Sequence, residues 1–446
     1  MSGGSDASLR PLRTDLTPIV EAIETAEADA FVAVGDRFDD DLRYLTRFSG
    51  PDRAYALVVV PNGPTAGRDG KSDAAGRAVC CAPALFAEQA EREFVASARD
   101  RGGDRDGDSD RDGGDADFHD GVAREVRTEG VGDHAGERAA VAVDELLEEG
   151  DSSAEGDGRP TLLVPPSIPH DAAVYLERAG NELASTDAVT TARARKTDAE
   201  LDRLRRAQRA TAAGMAHAET VLAESEVGAD DDGRPTVSWE GAPLTTERLR
   251  RAVNAVLADR GVRDAGNTVI GAGPSAADLH YVGDGPIRPG ETVLLDISPR
   301  GPDGYYGDMT RTFVVDGDGG WERRAYVAVE AAREAALAEI EPGVPAKTVH
   351  GEAAAELAAY GFDPNAGEGE TGFTHGTGHG VGVSLHESPS LSGAGELRPG
   401  HVITIEPGVY DPDVGGVRLE DLVVVTDDGC EIVAAYPFGT VPQARE

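Results

Sequence analysis

The sequence predicts an α/β protein built from two domains. The chain has 446 residues, of which 39% are hydrophobic, so it can bury a large core. Apolar runs of strand length alternate with amphipathic stretches of helix length in both halves of the chain. This pattern changes at about residue 190, ahead of a long amphipathic segment. We therefore expect a smaller N-terminal domain over residues 1–190 and a second domain over residues 191–446.

The first domain is predicted from short apolar runs separated by turn residues. Residues 98–137 differ, because their central part is almost pure Asp, Arg and Gly, with Phe118 as its only large apolar residue. Such a segment cannot bury enough apolar surface to order itself, and we expect a solvated acidic insertion there. The flanking periodicities predict helices over 16–29, 39–48, 139–149 and 170–179 and strands over 30–34, 55–60 and 160–164.

The second domain is predicted to contain antiparallel hairpins as well as helices. Thr197 and Glu200 have the spacing of a capping box, and apolar residues at helical spacing follow them. Several strand-like runs follow one another closely, which favours antiparallel pairing. The expected elements are a helix beginning at 198, helices over 246–259, 321–340 and 346–360, and strands over 267–271, 290–297, 310–315, 401–406, 416–419 and 422–426.

The charge of the chain is strongly negative. Its 42 Lys and Arg against 82 Asp and Glu give a net charge of −40, and only three of the basic residues are lysines. Such a surface repels phosphates, which argues against nucleic acid as a partner. Acidic residues spread over a chain of ordinary apolar content resemble the cytoplasmic proteins of salt-accumulating archaea, because a hydrated anionic surface stays soluble in high salt.

The cysteines and the apolar runs limit the compartment. Cys80, Cys81 and Cys430 do not form a disulfide framework. No run of eighteen apolar residues occurs, and the first residues lack the apolar core of a secretory signal. We therefore expect a cytoplasmic protein without a membrane partner.

Three histidines lie close together in residues 373–387, FTHGTGHGVGVSLHE. His375, His379 and His386 alternate there with glycines, which let a backbone approach its neighbours closely. Taken alone, the stretch fits a glycine-rich turn with structural histidines equally well. It lacks the GK[ST] ending of a phosphate-binding loop.

Four carboxylates at the ends of apolar strands decide between these interpretations. Asp296 and Asp308 flank a Gly- and Pro-rich connection, Glu406 follows the run HVITI, and Glu420 lies between two apolar runs. Buried carboxylates that lie side by side are costly unless a cation separates them. Oxygen ligands with one imidazole suit Mn²⁺, Co²⁺, Fe²⁺ or Zn²⁺, and bridging carboxylates could hold two ions. A structural role or acidic surface is the competing interpretation.

Taken together, these motifs resemble the pita-bread metallopeptidase family, which contains aminopeptidase P, Xaa-Pro dipeptidase (prolidase) and methionine aminopeptidase. The resemblance is strong over residues 190–440, and residues 30–50 resemble more weakly the N-terminal domain that the proline-specific branch shares with creatinase. That extra domain argues against methionine aminopeptidase. The motifs that carry the resemblance are LLDISPRGPDGYYGDMTRTF, FTHGTGHGVGVSLHE, ITIEPGVY and GGVRLEDLVVVT.

The resemblance implies a pita-bread fold and a set of five ligands for two divalent metal ions, with Mn²⁺ preferred and Co²⁺, Zn²⁺ or Fe²⁺ as alternatives. Asp296 would be a bidentate ligand of one ion, and Asp308 and Glu420 would bridge both. His379 and Glu406 would complete the set, and Glu406 would also act as the catalytic base. The two aspartates stand one residue further apart than in the family, which we interpret as a longer hairpin.

The resemblance also implies four residues around the ligands. His386 would contact the substrate and His280, in DLHYVGDG, would lie in the active-site wall, both in catalytic roles. His375 would line the proline-side pocket. Arg418 would hydrogen-bond to the metal site, and we group it with the substrate-binding residues. His350 and His401 fall outside the motifs and are expected to be structural or on the surface.

The implied function is hydrolysis of the Xaa-Pro bond at the N-terminus of peptides, as in aminopeptidase P. Prolidase, which takes only dipeptides, is the alternative, and no motif separates the two. A non-catalytic peptide-binding module on the same fold is a remote third possibility, because such relatives usually lose ligands. The expected partners are proline-containing peptides and further copies of the chain, in a homodimer or a higher homo-oligomer. Glu387 and Asp421 are expected to face solvent or to lie behind the ligands.

Overall fold

The structure is a computed structural model, and it describes residues 9–50, 52–62, 75–96, 120–129, 133–150, 159–230, 232–367 and 369–445. Two compact units make up the chain, Met1–Arg193 and Ala194–Glu446. The part of the expected insertion over residues 98–119 lies outside the described residues.

The first unit is organised around a mixed six-stranded sheet with the strand order β4-β3-β2-β1-β5-β6. Neighbours among β1, β2 and β3 are antiparallel, and the outer pairs are parallel. Helices α4 and α5 pack small apolar side chains against the buried valines and alanines of the sheet. The elements are α1 Thr17–Thr25, β1 Ala30–Gly35, α2 Asp40–Thr46, β2 Tyr55–Pro61, β3 Gly76–Pro83, α3 Ala87–Ala90, β4 Val122–Glu129, α4 Ala135–Gly150, β5 Thr161–Val164, α5 His170–Arg178, β6 Glu182–Ser185 and α6 Ala188–Ala194.

The predicted extent of the acidic insertion, residues 98–137, is wrong at its C-terminal end. Strand β4 begins at Val122 and pairs with β3 along its whole length, and α4 begins at Ala135. A ladder of backbone hydrogen bonds stabilises this strand although its side chains are mostly polar. Arg124, whose side chain is 4% exposed, forms an ion pair with Asp120 just before the strand. The high local charge hid this pairing at the level of sequence.

The second unit consists of antiparallel sheets backed by helices. The predicted hairpin character is therefore present, and the capping box of Thr197 and Glu200 starts its longest helix. The elements are α7 Asp198–Ala223, β7 Glu226–Ala229, β8 Pro235–Trp239, β9 Ala242–Pro243, α8 Thr246–Asp259, β10 Thr268–Ala272, β11 Thr292–Ile297, β12 Met309–Val314, α9 Trp321–Ala338, α10 Ala346–Ala359, β13 Val402–Ile405, β14 Gly408–Asp411, β15 Gly415–Arg418, β16 Asp421–Val425 and β17 Cys430–Ile432.

Two hydrophobic cores divide the second unit into halves. One core lies between α7, α8 and the sheet β10-β11-β12. The other lies between α9, α10 and the strands β13, β15 and β16. The halves meet where β12 runs beside residues 418–420, since the backbone N–H of Glu420 donates to the carbonyl of Thr310 over 3.1 Å. This seam brings the ends of strands from both halves together. Over the described ranges, no helix is long and apolar enough to cross a membrane.

One core histidine of the second unit gives folding a pH dependence. His401 is 6% exposed, and its Nδ1 accepts a hydrogen bond from the backbone N–H of Arg398. Burial, assisted by the nearby positive charges of Lys196, Arg195 and Arg398, lowers the pKa of His401 to about 4. An unfolded histidine has a pKa of about 6.5. Folding therefore opposes protonation, and this contribution to stability is complete above pH ~6.5 and lost as the pH falls towards 4.

We expect His401→Asn to lose less stability than the wild-type protein between pH 6.5 and pH 4, because the asparagine carbonyl can accept the Arg398 N–H but cannot be protonated in this range. Urea unfolding of both proteins at constant salt measures the difference. Parallel curves of unfolding free energy against pH would contradict the assignment.

Candidate functional site

The hairpin of β11 and β12 positions two aspartates. Asp296 lies on β11 opposite Thr310, and Asp308 immediately precedes β12. The Ser298 Oγ lies 2.8 Å from Asp308 Oδ1 and 3.2 Å from Asp296 Oδ1, so one hydroxyl links both carboxylates. The longer hairpin connection therefore still brings the aspartates together.

The other half of the unit adds Glu420 to this pair. Glu420 lies between β15 and β16 and is 2% exposed, and Thr310 Oγ1 donates to its Oε2 over 2.8 Å. Asp296, Asp308 and Glu420 each contribute one carboxylate oxygen to a group of three oxygens that lie within 4.8 Å of one another. Three acidic side chains from two sheets thus share one small volume.

The glycine-rich stretch runs beside β13 and delivers His379. The Thr404 N–H donates to the His379 carbonyl over 2.9 Å, and the Glu406 N–H donates to the Thr377 carbonyl over 2.8 Å. The His379 Nδ1 lies 3.0 Å from the Gly380 carbonyl, so Nε2 is the nitrogen that faces the acids. It lies 3.3 Å from Glu406 Oε1 and 3.8 Å from Asp308 Oδ2.

The glycines of this stretch make room for neighbouring backbone. A Cβ at Gly378 would lie 1.9 Å from the carbonyl oxygen of Thr404, and one at Gly380 would lie 2.4 Å from that of Ser388. No side chain fits at such distances. Glycine is therefore needed here so that the stretch can pack against β13 and its own return segment.

A chain of hydrogen bonds runs from Asp296 away from the acids. Arg418, which is 4% exposed, donates to Asp296 Oδ2 over 2.6 Å and to the Tyr410 hydroxyl over 3.1 Å. That hydroxyl lies 2.7 Å from the Nε2 of His375, whose Nδ1 faces the Gly376 carbonyl. Burial lowers the pKa of His375 to about 4, so the ring is neutral. Both ring nitrogens of His375 and the guanidinium of Arg418 are thus engaged within the protein.

All nine sequence-predicted site residues line one cavity of about 490 Å³. The ring of His386 stands 4.2 Å from that of His379, and His280 lies on an exposed part of the wall. Apolar side chains also line the cavity, namely Val269, Leu279, Val282 and Leu385. The cavity can therefore take a side chain or ring beside the acids.

Like charge dominates the electrostatics of the cavity. Burial, together with the neighbouring Glu420 and Asp296, raises the pKa of Asp308 well above its usual range. Burial and the repulsion of Glu406 and Asp296 raise the pKa of Glu420 to about 8. Burial also acts on Glu406, but its hydrogen bond and ion pair with His379 outweigh it, and its pKa falls to about 2. The same pair raises the pKa of His379 to about 9 against its burial.

These residues fit divalent metal ions. Carboxylates with raised pKa values would take up protons at neutral pH unless a cation lies between them. The donors are oxygens with one imidazole nitrogen, which suits first-row divalent ions. Asp296, Asp308 and Glu420 already place three oxygens within 4.8 Å of one another, with His379 and Glu406 beside them.

Several residues that support the acids escaped the sequence analysis. Ser298 is two positions from Asp296, and Thr310 is two positions from Asp308. Side chains two positions apart on a strand lie on the same face, and this alternation was the signal that could have found both residues. Gln208 on α7 gave no signal. Its side-chain amide donates to the Asp308 carbonyl over 2.6 Å and accepts from the Asp308 N–H over 2.7 Å. This glutamine fixes the backbone of a cluster residue on both sides.

Comparison with known proteins identifies the family. The model of metallopeptidase family M24 matches residues 202–427, which is half of the chain. The chain belongs to metallopeptidase family M24. This membership implies divalent metal ions and agrees with the donor set described above.

Curated relatives match the chain over part of their length. A probable dipeptidase PepE of Mycobacterium tuberculosis is 36% identical over 172 residues, which are 38% of this chain and 44% of the relative. The Xaa-Pro dipeptidase of Pyrococcus furiosus is 37% identical over 172 residues, which are 38% of this chain and 47% of the relative. The chain thus spans about half the length of the curated relatives it matches.

Solved structures share the fold over nearly the whole chain. The prolidase from Pyrococcus horikoshii OT3 has a TM-score of 0.70 and 22% identity and covers 96% of this chain and 99% of its own. A proline aminopeptidase P II from Yersinia pestis has a TM-score of 0.64 and 20% identity and covers 94% and 96%. The predicted fold class, an α/β N-terminal domain followed by a pita-bread domain, is confirmed.

We expect Gln208→Leu to weaken divalent metal binding about 10–100-fold, as is typical when a partner behind a metal ligand is removed. The leucine leaves the backbone N–H and carbonyl of Asp308 without their side-chain partner. Isothermal titration with Mn²⁺ measures the change. Gln89→Leu is the control, because Gln89 is a half-buried glutamine of the first unit that also donates a side-chain hydrogen bond, to Ser49. Equal metal affinity in Gln208→Leu and wild type would contradict a positioning role.

Proposed function

We propose that this protein is a metal-dependent peptidase that hydrolyses the bond between the first residue and a following proline. The observation that carries the proposal is the convergence of four carboxylates and one imidazole in one cavity. A non-catalytic binding module would not need this arrangement, since crowded buried acids destabilise a fold that holds no cation. The names of the Xaa-Pro relatives support the proline specificity.

In this proposal Asp296, Asp308, His379, Glu406 and Glu420 hold two divalent ions, with Mn²⁺ preferred. When bound, such ions lower the pKa of water and polarise a carbonyl. The other steps belong to the protein. Glu406 accepts the proton of the attacking water and passes it to the leaving nitrogen. It lines the cavity, and its low pKa keeps the carboxylate ionised and so able to accept a proton.

Two histidines of the cavity stabilise the negative charge that develops on the scissile carbonyl oxygen. His386 and His280 lie on the same wall and donate to the carbonyl oxygen as it becomes negative. His375 and Arg418 act on the substrate indirectly, since their polar atoms are bonded to Tyr410 and Asp296. A proline ring is rigid and its tertiary amide has no N–H, so an apolar wall recognises it by shape.

The charge of the cavity supports aminopeptidase action on peptides longer than two residues. A dipeptide would bring its terminal carboxylate into the cavity, where burial is costly without a cation. Among the described residues that line the cavity, Arg418 is the single arginine and there is no lysine. The Arg418 guanidinium already donates to Asp296, Tyr410 and Thr310. The acids instead attract the ammonium group at a peptide's N-terminus.

Dipeptidase action is the second candidate, because the curated relatives named above are dipeptidases. A test compares Ala-Pro, Ala-Pro amide and Ala-Pro-Ala at equal salt and metal. We expect kcat/KM for the amide and the tripeptide to exceed that for Ala-Pro at least about tenfold, a difference of ~1.4 kcal/mol in transition-state binding. Cleavage of Ala-Pro as fast as the tripeptide would favour the dipeptidase.

We expect removal of metal by a chelator to abolish hydrolysis and added Mn²⁺ to restore it. Asp308→Asn should lower kcat/KM by more than the ~10–100-fold typical of residues behind the ligands, because it removes a ligand oxygen charge. Asp303→Asn is the matched control, since Asp303 lies in the same hairpin connection with its side chain 38% exposed. Full hydrolysis of Xaa-Pro substrates by thoroughly metal-free protein would overturn the proposal.

A further inference from the structure

The loop between His379 and His386 is closed by a pair of backbone hydrogen bonds. The Gly380 N–H donates to the Glu387 carbonyl over 3.0 Å, and the Glu387 N–H donates to the Gly380 carbonyl over 2.7 Å. This pairing brings the two ends of the loop together, so the imidazoles next to its ends stand 4.2 Å apart. The position of His386 therefore depends on how this loop is held.

The loop wraps around the carboxylate of Glu387. Its Oε1 accepts the Ser384 N–H over 3.0 Å, and its Oε2 accepts Lys196 Nζ over 3.0 Å. A Cβ at Gly382 would lie 2.4 Å from the Oε2, so the loop backbone passes directly over the carboxylate. Of the two places expected for Glu387, in solvent or behind the ligands, the structure excludes the first, because the side chain is 1% exposed.

Lys196 anchors this carboxylate to the start of the second unit. Its side chain is 1% exposed, and its Nζ also donates to the Ala194 carbonyl over 3.0 Å. Its backbone N–H donates to the Gly400 carbonyl over 2.7 Å, two residues before β13. The chain contains three lysines against 82 acidic residues, and one of them occupies this site.

Stability does not explain a buried ion pair of this kind. Removing two charges from water costs about as much as their attraction returns, and apolar replacements are often neutral or stabilising. A pair with fixed partners on both sides does restrict where the backbone can lie. Neither Lys196 nor Glu387 lines the cavity, so neither acts on a substrate directly.

We propose that Lys196 and Glu387 are positioning residues that hold the 381–386 loop so that His386 faces the substrate beside His379. This inference rests on the proposed function, in which His386 donates to the reacting carbonyl. An imidazole displaced by about 1 Å loses much of its effect on the transition state, and such a misplacement costs up to ~10²-fold.

The test removes both charges together, because a single change would take one charge out of a buried ion pair and could prevent folding. We expect Lys196→Met/Glu387→Met to fold with a thermal midpoint close to that of the wild type, to keep KM, and to lose at least about tenfold in kcat. Arg445→Met/Glu219→Met is the matched control, since it removes both charges of the ion pair between Arg445 and the buried Glu219 on α7 without touching the loop. We expect its kcat to stay unchanged.

A double-mutant cycle with His386→Ala separates positioning from general damage. His386→Ala alone should lower kcat about 100-fold, as for loss of one donor to the transition state. In the His386→Ala background, the paired methionine substitutions should cause no further loss, because their effect passes through the missing imidazole. An equal loss in both backgrounds, or an unchanged kcat in the paired variant, would overturn the proposal.

A second readout does not need activity. NMR of ¹³C-labelled histidines, assigned with His386→Ala, reports the ring-current shift that His386 takes from His379 at 4.2 Å. We expect Lys196→Met/Glu387→Met to move this signal and Arg445→Met/Glu219→Met to leave it in place. An unmoved signal in Lys196→Met/Glu387→Met contradicts the positioning role. If the wild-type protein cleaves no Xaa-Pro substrate, the proposed function fails, and the NMR result still decides whether the pair positions His386.

Discussion

The arrangement of the second unit depends on holding like charges together out of water. Asp296, Asp308 and Glu420 place oxygens within 4.8 Å of one another, and burial with mutual repulsion raises their pKa values. In the described part of the site, Arg418 and His379 partly offset this repulsion. Bound cations would therefore stabilise the cluster. Without them, repulsion between the carboxylates pushes the strand ends apart, and the surrounding structure must hold these ends in place.

That resistance comes from rigid elements on both sides of the seam. Asp308 is fixed through its backbone by Gln208, and Glu420 precedes Asp421, whose carboxylate forms ion pairs with Arg311 and Arg333. Of the two places expected for Asp421, in solvent or behind the ligands, its buried position excludes the first. Each half of the unit thus presents its acids from a strand end that a helix or an arginine holds. Because the two cores pack separately, the acids of one half approach those of the other only along the seam.

The sequence predicted the parts of the site that follow from strand ends and spacing. Carboxylates after apolar runs and histidines among glycines predicted four carboxylate ligands and one imidazole, and the family resemblance then assigned His379, His386, His375, His280 and Arg418. All nine residues line one cavity. Gln208 was missed because a single polar residue on a helical face has no periodic signature. Strand β4 was missed because its backbone pairing with β3 is long-range and its side chains are mostly polar. The reason for Gly378 was also invisible, because the carbonyl of Thr404 comes from a distant strand.

The burial of Lys196 has a practical consequence for handling the protein. Reagents that acylate amines need an exposed amine that can lose its proton, and the chain offers three lysines in all. Lys196 has a side chain that is 1% exposed, whereas Lys347 is exposed on α10. Dyes or surface linkers aimed at amines can therefore attach through Lys347 and leave the pair beneath the histidine loop intact. A chain so poor in lysine is suited to attachment at few, known points.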